Sequence, residues 1–149
     1  MRTAYRVLAL AICVLVAVQA MTVAFSTFGI LNWVDDENDL TKSAIEADTW
    51  EWTGATGTVL HGQVGMKVIP IIALVLLIVS FLAKISGGVK WAAIILVDVV
   101  VQVVIAIVAF STPWVGALHG LNAFILFGLA MTAAQLVRKD ADVPVTQPL

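Results

Sequence analysis

Four long apolar runs, at about residues 7–31, 64–83, 91–110 and 114–137, constrain this chain more than any other feature. A helix needs about 20 mostly apolar residues to cross the hydrocarbon layer of a bilayer. No water reaches that depth, so backbone polar groups must be paired within a helix or around a closed barrel. Continuous apolar runs without the alternation of a barrel strand select helices. The chain carries 61% hydrophobic and only 12% charged residues, whereas soluble domains average about 25% charged. The fold class expected is therefore all-α integral membrane: a four-transmembrane-helix bundle in one domain over residues 1–137, in contact with the lipid bilayer. A net charge of -2 supplies no footprint for nucleic acid.

Arg2, Arg6, Lys84, Lys90, Arg138 and Lys139 all fall on one side of the predicted spans. Cytoplasmic flanks carry the Lys and Arg excess, which predicts a multi-pass protein of the cytoplasmic (inner) membrane with both termini cytoplasmic. The N-terminus also has the outline of a signal peptide, with Arg2 and Arg6 before an apolar stretch and small residues around Val18-Gln19-Ala20. Apolar character continues through Met21 to Leu31, so the reading is an uncleaved first helix. The outer connection, about 32–58, carries Asp35, Asp36, Glu37, Asp39, Glu46, Asp48 and Glu51 against a single Lys42. It is read as a solvated acidic cap or as a surface that docks a basic or cationic partner. Trp33, Trp50, Trp52 and Trp114 suit an interfacial aromatic belt. Residues 138–149, with Pro144 and Pro148, are expected to form a disordered cytoplasmic tail. Cys13 reads as a small core residue.

The chain also repeats itself. Leu60-His61-Gly62 recurs as Leu118-His119-Gly120, and these hold its only two histidines. Ala24-Phe25-Ser26-Thr27 recurs as Ala109-Phe110-Ser111-Thr112, with Gln19 and Gln102 a short way upstream. Helices one and two thus resemble a diverged copy of helices three and four, with the acidic loop inserted in the first copy. Both copies run in the same sense, as parallel helix-hairpin repeats about an axis along the membrane normal. His61 and His119 are then expected to face each other at similar depth near the outer side.

Two imidazoles on one level are a standard axial pair for haem iron, and helix bundles build such sites from side chains on facing helices. The leading expectation is a b-type haem between helices two and four, with its propionates outward. Gly65 and Ala123, each four residues past a histidine, supply small residues on the same helix faces, and Gly57 and Gly116 thin the faces on the other side. Gly116 and Gly120 also form a GxxxG pair of the kind that plain helix packing uses. Other readings stay open. The histidines can be structural, with Asn122 in their hydrogen-bond network and no cofactor at all. They can instead hold Cu or Zn together with a carboxylate such as Glu51 or Asp48, since two histidines do not fill a tetrahedral site.

Charged groups within the membrane are costly unless paired or wetted, which singles out Lys67 and Asp98. Lys67 suits an acidic cofactor group such as a propionate, or snorkels to the interface. Asp98 and Gln102, four apart on helix three, suit a buried cluster with Gln19 that is structural, proton-handling or quinone-contacting. The sequence contains no nucleotide-binding glycine loop, no Cys-Xaa-Xaa-Cys and no HExxH, so hydrolytic and nucleotide-dependent enzymes are disfavoured and a redox role is left.

The stretch from about 56 to 135, with Leu60-His61, Val101-Gln102 and Ala117-Leu118-His119-Gly120-Leu121-Asn122-Ala123 leading into Phe127-Gly128-Leu129-Ala130, resembles a group of small prokaryotic four-helix membrane proteins defined only as a domain of unknown function. That resemblance implies a four-helix fold with paired histidines and no particular activity. In layout the chain is also similar to one half of haem A synthase and to b-type membrane cytochromes. In haem A synthase the outer loop brings a carboxylate near the haem histidine, a place that Glu51 matches by region and not by motif. Together these readings predict an electron-transfer protein or the haem-bearing subunit of a homo-oligomer or larger membrane complex. The alternative is a cofactor-free accessory subunit whose acidic loop docks a partner.

Overall fold

The structure, a computed structural model, describes residues 1–43 and 52–141, with side chains through 138. Glu46, Asp48, Trp50, Glu51 and the proline-bearing end of the tail lie outside the described residues. All regular structure among the described residues is helical. Four helices are each long and apolar enough to cross a membrane: α1 (Arg2–Asp35), α2 (Ala55–Ala83), α3 (Gly88–Ala109) and α4 (Val115–Ala141). The four-helix bundle is the one the apolar runs predict.

Packing follows chain order, α1 on α2, α2 on α3, α3 on α4, and α4 back on α1. Neighbours are antiparallel, so α2 and α4 run parallel on a diagonal of the bundle. Met1 and Arg138 lie at one end, the termini end, and the α1–α2 connection lies at the other, the loop end. At the termini end Arg2 donates to the Lys84 carbonyl at 3.1 Å and Tyr5 donates to the Gly88 carbonyl at 3.0 Å. These bonds seat the first turn of α1 on the α2–α3 turn.

Helix limits exceed the apolar runs because hydropathy marks only the lipid-facing length. The run at 64–83 corresponds to a helix that begins at Ala55, so His61 lies inside α2 and not at its start. Ala55-Thr56-Gly57-Thr58 reads as loop by polarity, yet its small residues let α2 lie directly on α1. A Cβ at Gly57 would stand 2.5 Å from the Thr22 carbonyl oxygen, and one at Gly29 would fall onto the Thr53 carbonyl. Ser26 and Thr58 hydrogen-bond across the same contact, and Trp33 meets Trp52 with ring centroids 6.4 Å apart. Gly54, at φ 92°, makes the left-handed start of α2. At the other terminus α4 continues to Ala141, so Arg138 and the residues just after it belong to the helix and not to a disordered tail.

The repeat is visible in what is buried. Tyr5, Ala9, Ile12 and Gln19 of α1 correspond at constant spacing to Gly88, Ala92, Ile95 and Gln102 of α3, and Val16 to buried Val99. This register runs through the glutamines. The Ala-Phe-Ser-Thr match is two residues out of step with it, because Ser26 lies within α1 whereas α3 ends at Ala109. In the other pair, Ile69, Ala73 and Leu76 of α2 correspond to Leu126, Ala130 and Ala133 of α4, all buried. His61 precedes Ile69 by eight positions, while His119 precedes Leu126 by seven. The extra residue is absorbed by a π-helical turn at Val64–Val68. Pro70 accounts for its location, since proline lacks the N–H that would bond the Met66 carbonyl and its ring crowds that carbonyl.

These buried apolar residues, with Cys13 and Ala134, form one core toward the termini end. The next layer toward the loop end is polar, with Gln19 and Asn122 each at least nine-tenths buried. The histidines belong to that layer.

Candidate functional site

His61 of α2 and His119 of α4 meet across the bundle axis, with ring centroids 6.1 Å apart and planes inclined at 67°. Each ring is fixed from behind in the same way. His61 Nδ1 lies 3.2 Å from the Gln19 carbonyl oxygen, and His119 Nδ1 lies 3.1 Å from the Gln102 carbonyl oxygen. A carbonyl only accepts, so each Nδ1 carries the proton and each Nε2 keeps its lone pair. The two hairpins of the repeat thus make one contact twice, a histidine ring on a glutamine backbone carbonyl, which was not read from the sequence. Orienting a ligating histidine through its other ring nitrogen is also how metal-binding imidazoles are commonly held.

Beyond that contact the two sides differ. Gln102 Nε2 donates to the His119 carbonyl at 3.0 Å and stands 3.4 Å from His119 Nε2, while Gln102 Oε1 accepts from Asn122 Nδ2 at 2.8 Å. Asn122 in turn faces the Asp98 carboxyl, whose Oδ2 is buried without a partner. Of the expected cluster of Asp98, Gln102 and Gln19, Gln102 is hydrogen-bonded to Asn122, and Asp98 neighbours the same asparagine. Gln19 is not part of it. Its carboxamide is buried with neither atom bonded, and it points at Gly65, where a Cβ would lie 3.3 Å from Gln19 Oε1.

The remaining expected site residues divide. Gly65 and partly buried Ala123 lie one turn below their histidines, as predicted. Gly57 does not flank the imidazoles; it lies against Thr22 and Phe25 in the α1–α2 contact. Gly116 faces Ala109, and no atom approaches the Cβ position of Gly120, so their GxxxG spacing makes no joint contact within the chain. Lys67 stands apart from the histidines. It is exposed and donates to Gln63 Oε1 at 2.6 Å on the same helix face, which is the snorkelling alternative. Cys13 is buried, its thiol 3.6 Å from the Phe127 carbonyl. Among the described residues no group of three or more His, Cys, Asp or Glu converges as a metal-ligand set. Glu51 and Asp48, the carboxylates considered as a third ligand, lie outside the described residues.

Two further features were not read from the sequence. Pro70 within an apolar run was the signal for the π turn, and Ser26 opposite Thr58 was the signal for the polar pin between α1 and α2. No family model, curated protein or solved structure matches this chain, so its functional reading rests on its own residues and geometry.

Proposed function

We propose that this chain is a small b-type haem protein, with His61 and His119 as axial ligands between α2 and α4, acting in electron transfer or as the cofactor-bearing subunit of a redox complex. We place it in the cytoplasmic membrane with the termini end at the cytoplasm, where Arg2, Arg6, Lys84, Lys90 and Arg138 gather. The observation that carries the reading is the spacing of the imidazoles. Two metal–nitrogen bonds of about 2.0–2.1 Å, each extended by about 1.1 Å from nitrogen to ring centre, put trans ligands roughly 6 Å apart. The rings stand at 6.1 Å with both Nε2 lone pairs free of a fixed proton.

Two histidines complete an axial set, whereas a tetrahedral Zn or Cu site needs further donors. That difference favours haem over the bare metal. Bound haem would supply one-electron chemistry. The protein's own part is to hold both rings by backbone carbonyls and to seal the layer below with Ile69, Val99 and Leu126. Ligation through His119 Nε2 requires Gln102 to give up its 3.4 Å approach to that nitrogen while keeping its bond to the His119 carbonyl.

An absorption spectrum of protein expressed with ample haem tests the reading. A low-spin spectrum with a Soret band at one haem per chain is expected. Colourless protein that retains stoichiometric copper or zinc would replace haem with a metal site. Colourless, metal-free protein would leave the accessory subunit, with its acidic loop as the partner surface.

A further inference from the structure

Among the described residues Asp98 is the one carboxylate in the middle of a span: it is half-buried, lines a shallow groove on α3 with Ile94, Val97 and Val101, and turns a buried Oδ2 inward. It lies ten residues into α3, about 15 Å from the termini-end start of that helix at ~1.5 Å per residue. This is near the middle of a hydrocarbon layer about 30 Å thick. Its position in the repeat corresponds to Leu15 of α1, so the fold does not require a polar group there. Burial of a carboxyl is costly unless it is paired or neutral. Asp98 has no cation for a partner: among the described residues, the titratable groups on the helices packed against α3 at this level are His119 of α4 and His61 of α2. Lys67 of α2 is turned away to Gln63, and Cys13 of α1 is bonded to the Phe127 carbonyl on another side of the core. What Asp98 does have is Asn122 beside it; Asn122 donates to Gln102 Oε1, and the Gln102 backbone carbonyl holds His119 Nδ1.

We propose that Asp98 is a proton-binding site coupled to electron uptake at the paired histidines. This inference rests on the haem reading. With haem bound, the oxidised iron would carry one positive charge more than the reduced iron, and the Asp98 carboxylate would be the described protein anion nearest to it. When one electron arrives from a one-electron donor, that charge is cancelled and the carboxylate takes one proton from water. On oxidation the electron passes to an acceptor and the proton returns to water. Asp98 stands about one helical turn, ~6 Å, below the histidine layer. At a separation of roughly 10 Å and an effective dielectric near 20, a unit charge changes proton affinity by on the order of tenfold. Asn122 and Gln102 position the carboxyl and carry no proton themselves.

The test is spectroelectrochemical titration of the purified haem-loaded protein between acid and alkaline pH, with redox-difference infrared spectroscopy on the same samples. The wild-type midpoint potential should fall with rising pH across one window by about 60 mV in all, the one-electron equivalent of a tenfold change in proton affinity, and be flat on either side of it. A protonated carboxyl band should appear on reduction with dithionite and shift in deuterium oxide. Asp98→Asn should remove both the slope and the band while keeping the low-spin spectrum, and Asp98→Glu should restore the slope. A haem-loaded wild type with a pH-independent potential and no carboxyl band overturns this inference and leaves the haem reading standing. So does an Asp98→Asn protein that keeps the wild-type slope. Protein that takes up no haem overturns both. If Asp98→Asn does not fold, the band and slope of the wild type and of Asp98→Glu decide.

Discussion

The two hairpins are built on one plan and have spent their polar residues differently. In the α1–α2 hairpin the loop end is glued by Gly29, Gly57 and the Ser26–Thr58 bond, while at the histidine level Gln19 stands against Gly65 with its carboxamide unbonded. In the α3–α4 hairpin the loop end is looser among the described residues, with Gly116 only in ordinary contact with Ala109 and nothing within 4 Å of a Cβ at Gly120, and the polar atoms are gathered lower down in Gln102, Asn122 and Asp98. Both hairpins nonetheless hold their histidine by the same carbonyl contact. A duplicated frame can keep what fixes the histidines and divide its other polar residues, with one half pinning the loop end and the other gathering Gln102, Asn122 and Asp98.

The strongest way to break this comparison is at the feature the halves share. His61→Ala and His119→Ala should each abolish the low-spin spectrum, whereas Lys67→Ala should leave it unchanged. Retention of a bis-histidine spectrum in either histidine variant would remove the pair as ligands. Next in size is the glycine contrast. Gly57→Val forces a side chain onto the Thr22 carbonyl and should cost about 1–3 kcal/mol as overpacking, read as a lower Tm in detergent. Gly120→Ala meets no atom and should be neutral or stabilising by up to about 1 kcal/mol, as expected for a helical glycine. Equal losses at the two positions would show that the closure is not confined to the first hairpin.

A subtler contrast lies in the glutamines. Gln102→Leu removes the acceptor of the Asn122 amide and the donor to the His119 carbonyl, while the backbone contact to the His119 ring stays, and should cost about 1–3 kcal/mol. Gln19→Leu removes a buried carboxamide that bonds nothing, so it should be neutral or stabilising. Thermal unfolding of both variants in one detergent checks this, and a Gln19→Leu loss as large as that of Gln102→Leu would erase the proposed asymmetry. Smallest of all, Tyr5→Phe gives up the bond to the Gly88 carbonyl and should cost about 0.5–1.5 kcal/mol. The loss should show mainly as faster exchange of amides around the α2–α3 turn.

Much of this was legible from spelling. Apolar length determined the number of spans, and two identical tripeptides predicted the facing histidines, because both are one-dimensional signals. The glutamines were also visible, yet their task was not, since it is the Gln19 and Gln102 carbonyls that bind the rings and every residue has a carbonyl. Gly57 was misplaced for a related reason: four-residue spacing from His61 puts it on the same face only if that face looks inward, and at the loop end it looks toward α1. Lys67 was read either as a propionate partner or as snorkelling outward, and the π turn that contains it helps set the direction in which it points.

That turn has a consequence for how the protein can change. In an unbroken helix, residues eight apart differ in direction by about 80°, and those seven apart by about 20°. With Val64–Val68 widened, His61 and Ile69 share the bundle interior as closely as His119 and Leu126 do. Pro70 thus divides α2 into two rods joined by a rotary coupling. The upper rod carries His61 and the lower one packs in the apolar core. Removing one residue from Val64–Val68 should return that turn to ordinary α-helix and keep His61 in register with the core, as His119 is in α4.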